Sequence, residues 1–134
     1  GVCFISAVTL MCEIGDFSTF KKAKQLYAYL GLDPAVNQSG NFKGTRVSMS
    51  KRGSRLARRA LYYIALVSVS GSNNPVLKEF YEKKKLSKPK KVALGAVMHK
   101  ICNIIFAVLR DNKPFVLKTP EEHCKAYEKL ALAA

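Results

Sequence analysis

Three arginines, Arg52, Arg55 and Arg59, recur at spacings of three and four residues. On an α-helix, positions i, i+3 and i+7 share one face, so the three would form a single basic stripe. A planar guanidinium grips phosphate through two parallel hydrogen bonds, which a lysine ammonium cannot do. The N-terminus of the same helix adds free backbone N–H groups aimed at the same kind of anion. Lys43, Arg46, Lys51 and Arg58 lie in the same stretch, and no acidic residue occurs between Asp33 and Glu79. The plainer alternative is a solvated face that only keeps the domain soluble. With no acidic partner in the stretch, phosphate binding is the better account.

The rest of the charge supports that reading. A second acid-free stretch, Lys83 to Arg110, includes Lys90 and Lys91, which join the candidate anion contacts. In all, 23 Lys and Arg face nine Asp and Glu, a formal charge of +14. Such an excess costs self-repulsion on folding and is best tolerated beside a polyanion. Five of these cations on duplex phosphates would give a log–log salt slope of about −4 to −5. Tyr62 and Tyr63 have a type suited to stacking on unpaired bases. Their spacing fits core packing at least as well.

Metal chemistry finds little support. Cys3, Cys12, Cys102 and Cys124 are scattered without a CxxC spacing, and the two histidines are His99 and His123. A zinc site would need ligands from opposite ends of the chain. Cys12 and Cys102 lie inside apolar runs and read as buried thiols, suited to a reducing cytoplasm. Glu13, Asp16 and Asp33 are isolated and read as caps or surface charges. No metal site is expected on this chain.

The elements that must position these residues are mostly helical. With 134 residues, 49% of them hydrophobic, the chain suits one domain with a real core. No run of 18 or more apolar residues occurs, so no membrane span is expected. The chain opens on Gly1 directly into an apolar segment and has no secretory signal, which reads as a boundary inside a longer protein. Val2 to Ile14 reads as a short buried helix. Ser18 is a plausible cap for a helix from about Thr19 to Leu30, closed by Gly31. Its inner side carries Phe20, Ala23, Leu26, Tyr27 and Leu30, and its outer side Lys21, Lys22 and Lys24.

Residues 31–50 lose helical periodicity, and Gly40 and Gly44 suit chain reversal, with two short strands around Val36 and Val47. Loops of this length are uncommon in compact domains and are often functional. A long helix then runs from Lys51 or Ser54 to Ser70, with a core stripe of Leu56, Ala60, Tyr63, Ala65, Leu66 and Val69. Asn74 and Pro75 start a helix to about Leu86. Ser87 caps the next, which runs to Leu109 and is apolar enough to be the central core element. Thr119-Pro120-Glu121-Glu122 starts a last helix to about Leu132. The expected fold is all-α, a bundle of five or six helices with one irregular loop or short β-hairpin around residues 31–50.

Several ordered strings, ISAVTLMCEIGD, FKKAKQLYAYLGLDP, QSG, SKRGSRLARRALY, NPVLKEFY and KPKKVALGAVMHKICNIIFAVLRD, together resemble a known family. It is the C-terminal transposase domain of the insertion-sequence group one-hundred-and-ten, with groups one-sixteen and nine-oh-two, whose relatives include Piv-type DNA invertases. The resemblance covers about residues 1–111, leaving 112–134 as a C-terminal linker and helix of the single domain. It implies a serine that attacks DNA and holds a covalent link during strand exchange, and the matching position is Ser39. It also implies a RuvC-like N-terminal domain, absent from this chain, whose carboxylates hold a divalent metal such as Mg. The implied partners are DNA, in part of the family a structured guide RNA, and further copies of the full-length protein. The implied location is the bacterial cytoplasm, at the nucleoid. The N-terminus resembles the second half of a helix–hairpin–helix, with Cys3 standing where a second glycine is expected.

The residues themselves are consistent with that role for Ser39. A hydroxyl that attacks a phosphodiester must be exposed, and Gly40 lets the backbone approach DNA closely. Serine is a weak nucleophile and needs a base or metal. With no histidine near Ser39 in sequence, activation would come from the absent domain, and Lys51, Arg52 or Arg55 would stabilise charge at phosphorus. Taken alone, Ser-Gly in a loop is ordinary turn chemistry. Two main readings follow: half of a recombinase active site, silent in isolation, or a non-catalytic nucleic-acid-binding module. A basic ribosome-associated protein is a third.

Overall fold

The computed structural model describes residues 2–35, 38–39, 42–43, 48–71, 73–122 and 124–125, with only the backbone of 38–39 and 42–43. Among them are five α-helices with both ends described, one 3-10 turn and one two-stranded antiparallel pair. The helices are α1 (Phe4–Ile14), α2 (Ala23–Tyr29), α3 (Arg55–Val69), α4 (Pro75–Lys85) and α5 (Lys90–Asp111). The strands β1 (Gln38–Ser39) and β2 (Phe42–Lys43) lie between α2 and α3. The mainly helical bundle with one hairpin is the architecture expected from the sequence.

α5 is the centre, packed against α2, α3 and α4, while α1 lies chiefly on α3. Its inward side carries Ala93, Leu94, Val97, Met98, Ile101, Cys102 and Phe106, all buried. By length and composition this 22-residue helix is apolar enough to cross a membrane, which the count of unbroken apolar residues did not register. Its buried face has three helical neighbours, so core packing accounts for that composition. Leu26, Leu30, Leu32 and Leu61 fill the space around it with almost no exposure. Each such burial is worth about 1.5–3 kcal/mol.

Local chemistry sets most helix ends. Asn74 Oδ1 accepts from the Leu77 N–H at 3.0 Å, with Pro75 at the first helical position. Leu32 N–H donates to the Tyr27 carbonyl and Gly31 N–H to the Ala28 carbonyl. With Gly31 at φ 71°, this closes α2 in a Schellman motif. Near the C-terminus, Thr119 N–H donates to the Glu122 carboxylate and Glu122 N–H to Thr119 Oγ1. That reciprocal pair is the expected start signal, and residues 120–122 and 124–125 are helical. Leu132 lies outside the described residues.

Several expectations need correction. α2 starts at Ala23, because Asp16 captures the Ser18 N–H at 2.9 Å and folds Phe17–Thr19 into a 3-10 turn. Gln25 then reaches back to the N–H groups of Lys21 and Lys22. α5 begins after Pro89 with no side-chain cap, so Ser87 does not fill that role. Val2 to Ile14 is not a buried helix: Leu10 and Ile14 are its buried residues, while Phe4, Ile5, Val8 and Met11 are exposed. α1 meets the bundle along one side, which also leaves Cys12 exposed.

Candidate nucleic-acid interface

The chain leaves α2 at Gly31 and returns to α3 at Ser54, and its two limbs are tied together. Ala35 N–H donates to the Ser48 carbonyl at 2.7 Å and Ser50 N–H to the Asp33 carbonyl at 2.8 Å. Pro34 bridges Met49, and Ser50 Oγ donates to the Asp33 carboxylate. Beyond this base, Gln38 pairs with Lys43 and Ser39 with Phe42. The arm is therefore a hairpin standing on a hydrogen-bonded base. Val36, Val47 and Arg46 lie outside the described residues, as do the side chains of Ser39 and Lys43. The Pro34–Met49 bridge flanks the segments where strands were expected.

A tight backbone contact locks this base to the start of α3. A Cβ built on Gly53 would collide with the Tyr29 carbonyl oxygen and lie 2.7 Å from Gly31 N. Only glycine permits that approach. Arg58 seals it, donating from Nη1 to the Leu30 carbonyl at 3.1 Å and to the Gly53 carbonyl at 2.6 Å. Lys51 turns the chain through φ 56°, its N–H held by the Gly31 carbonyl at 3.1 Å. A left-handed lysine costs roughly 1–2 kcal/mol, here offset by the surrounding contacts. Arg58 thus holds two backbone carbonyls through Nη1, a role invisible in its spacing because Leu30 is 28 residues away.

The other cations divide between elements. Ser54 Oγ caps α3 by accepting from the Ala57 N–H at 3.1 Å, so Arg52 lies before the helix rather than on its stripe. Lys51, Arg52, Arg55 and Arg59 are all exposed. Among the described residues, ion pairs join Lys83 to Glu79, Lys85 to Glu82 and Arg110 to Asp111. None reaches the start of α3. Lys90 and Lys91 occupy the first turn of α5, the helix end where the macrodipole disfavours cations.

The phase of α3 differs from expectation. Its buried residues are Ala57, Ala60, Leu61, Ile64, Ala65 and Ser68. Leu56, Tyr63 and Leu66 face outward, 56%, 48% and 41% exposed, instead of forming the core stripe with Ala60 and Ala65. Val69 is half-buried against the core. Tyr62 is also exposed, meeting Tyr63 edge-on at 6.0 Å between ring centres. The Arg59 guanidinium lies 5.6 Å from the Tyr63 ring centre. The missed signal was the row of small residues, which allow close helix contact and so mark the inner face.

Other chemistry-bearing residues have structural roles. His99 Nε2–H donates to the Leu32 carbonyl at 2.8 Å, and its ring packs on Tyr27. His123 lies outside the described residues. Asp16 and Asp33 act as local acceptors, as expected. No three His, Cys, Asp or Glu side chains gather among the described residues. They do not fit the divalent metal that the family resemblance implies. An 870 Å³ cleft between α4, α5 and the segment after Asp111 is lined by apolar Phe80, Ile104, Val108 and Phe115 and also by Glu79, Lys83 and Lys100.

Fold and charge together define a basic helical domain with a β-hairpin arm seated on the cationic start of one helix. Residues 1–82 match the family described as Transposase IS116/IS110/IS902. The chain belongs to that transposase family. It is 36% identical over 107 residues to the pilin gene-inverting protein of Moraxella bovis, covering 79% of this chain and 33% of that protein. It is 30% identical over 121 residues to the transposase for insertion sequence element IS1111A of Coxiella burnetii, covering 86% and 32%. The Insertion element IS110 uncharacterized 43.6 kDa protein of Streptomyces coelicolor is 26% identical over 122 residues, covering 90% and 29%. The chain spans about a third of the length of these curated relatives.

Proposed function

We propose that this chain is the DNA-handling, serine-bearing C-terminal part of a transposase or site-specific recombinase, with Ser39 as the nucleophile of strand exchange. The observation that carries the proposal is the seating of the hairpin arm. Ser39 lies in a two-stranded arm whose base is fastened to the start of α3, beside Lys51, Arg52 and Arg55. In this reading those cations and the first N–H groups of α3 hold the phosphate. Ser39 Oγ gives up its proton and forms the new P–O bond. One bond from phosphorus to a deoxyribose oxygen breaks, and that sugar hydroxyl leaves with a proton. The base that activates the serine is assigned to the remainder of the full-length protein, and the isolated chain is expected to be silent.

In the full-length protein, Ser39→Ala should abolish covalent protein–DNA adducts and change DNA affinity less than twofold. Adducts surviving in that variant would remove Ser39 from the reaction and leave a binding module. Four cations, Lys51, Arg52, Arg55 and Arg59, on duplex phosphates predict a salt slope of about −3.6 for the chain. A slope near zero would remove the nucleic-acid interface altogether.

A further inference from the structure

The outer face of α3 carries a second kind of chemistry beside its phosphate-binding start. At 100° per residue, Arg55, Arg59, Tyr62, Tyr63 and Leu66 gather on the side opposite Leu61 and Ser68. Each of the five is exposed. Arg59 lies over Tyr63 and Tyr63 meets Tyr62, so a guanidinium and two rings form one continuous patch. α3 contains no acidic residue. The patch is thus apolar, aromatic and cationic at once.

Charge complementarity selects a polyanion for this face, and the rings narrow the choice. A duplex keeps its base faces within its own stack and offers mainly phosphates and groove edges. An unpaired strand offers both phosphates and free base faces, the pair of features matched by arginines beside tyrosines. Tyr62 and Tyr63 lie seven or eight residues beyond Arg55, about 11–12 Å along the axis. A strand held at the start of α3 would reach them within a few nucleotides. We propose that the outer face of α3 binds single-stranded DNA, with Arg55 and Arg59 on phosphates and Tyr62 or Tyr63 stacked on a base. This rests on the strand-exchange function proposed above, in which duplex must open beside the hairpin arm.

The test is fluorescence anisotropy of the chain with a labelled 12-nucleotide single strand, its duplex and the RNA of the same sequence, at one fixed salt concentration. The double variant Tyr62→Ala/Tyr63→Ala should bind single-stranded DNA about tenfold more weakly and duplex within twofold of the parent. Tyr62→Phe/Tyr63→Phe should restore the lost affinity, because it keeps the rings. Matched thermal melts establish that the variants fold. Equal losses on duplex and single strand, no loss on the single strand, or a parent preference for RNA would each overturn the proposal. A parent chain that binds none of the three would overturn the polyanion reading with it. Duplex binding unaffected by the tyrosines, with no loss on the single strand, would overturn this inference alone.

Discussion

α3 and α5 are the two longest of the five helices α1 to α5, and they place their apolar residues in contrasting ways. α5 has three helical neighbours and turns Leu94, Val97, Met98, Ile101 and Phe106 inward. α3 buries Leu61 and Ile64 among four small residues, while leaving Leu56, Tyr63 and Leu66 exposed. Hydropathy alone does not choose the buried face of a helix. Close packing also depends on side-chain size, and alanine and serine let neighbouring backbones approach. The face left over on α3 is then free to carry arginines and tyrosines.

The largest expected effect tests that phase. Leu61→Ala removes a fully buried side chain and should cost about 3 kcal/mol in urea unfolding. Leu56→Ala and Leu66→Ala should each change stability by less than about 0.5 kcal/mol. A Leu56→Ala loss as large as that of Leu61→Ala would restore the stripe expected from the sequence and erase the contrast between the helices.

That contrast also explains what was legible in advance. Caps and stops depend on neighbours within a few residues, so Asn74 with Pro75, Thr119 with Glu122, and Gly31 could be read from the sequence. α5 was legible as the core helix because its apolar residues are dense enough to survive errors of phase. α3 was not, because Leu56, Tyr63 and Leu66 form an apolar stripe as plausible as the true one. Its basic end was legible as charge, yet the role of Arg58 depends on a carbonyl 28 residues away. Asp16 displaced Ser18 as the local cap through a competition between adjacent side chains, which pattern reading does not rank.

The next effect separates two arginines on the same helix. Arg58→Ala removes a charged donor from the carbonyls of Leu30 and Gly53 and should cost about 2 kcal/mol. Arg55→Ala should leave stability within about 0.5 kcal/mol and reduce the salt slope of DNA binding by about 1. Urea unfolding and salt-dependent anisotropy on both variants give the comparison. If Arg58→Ala lowers the slope and leaves stability intact, Arg58 is a phosphate contact and the lock at Gly53 is not maintained by its side chain.

The smallest effect probes how completely α5 is enclosed. Cys102 lies on its inward side with no exposed area, and burial pushes its thiol up to about 12. Thiolate is the reactive form, so at pH 8 a disulfide reagent should label exposed Cys12 readily and reach Cys102 only after denaturant is added. Because folding favours the neutral thiol, its contribution to stability is complete below pH 9.0, the ordinary value, and declines as pH rises towards 12. Cys102→Ala should remove that part of the alkaline decline while leaving the lysine titrations in place. Labelling of Cys102 in the native chain at the rate of Cys12 would mean that α5 opens as readily as the surface of α1. The distinction between an enclosed α5 and a half-covered α3 would then fail at its firmer end.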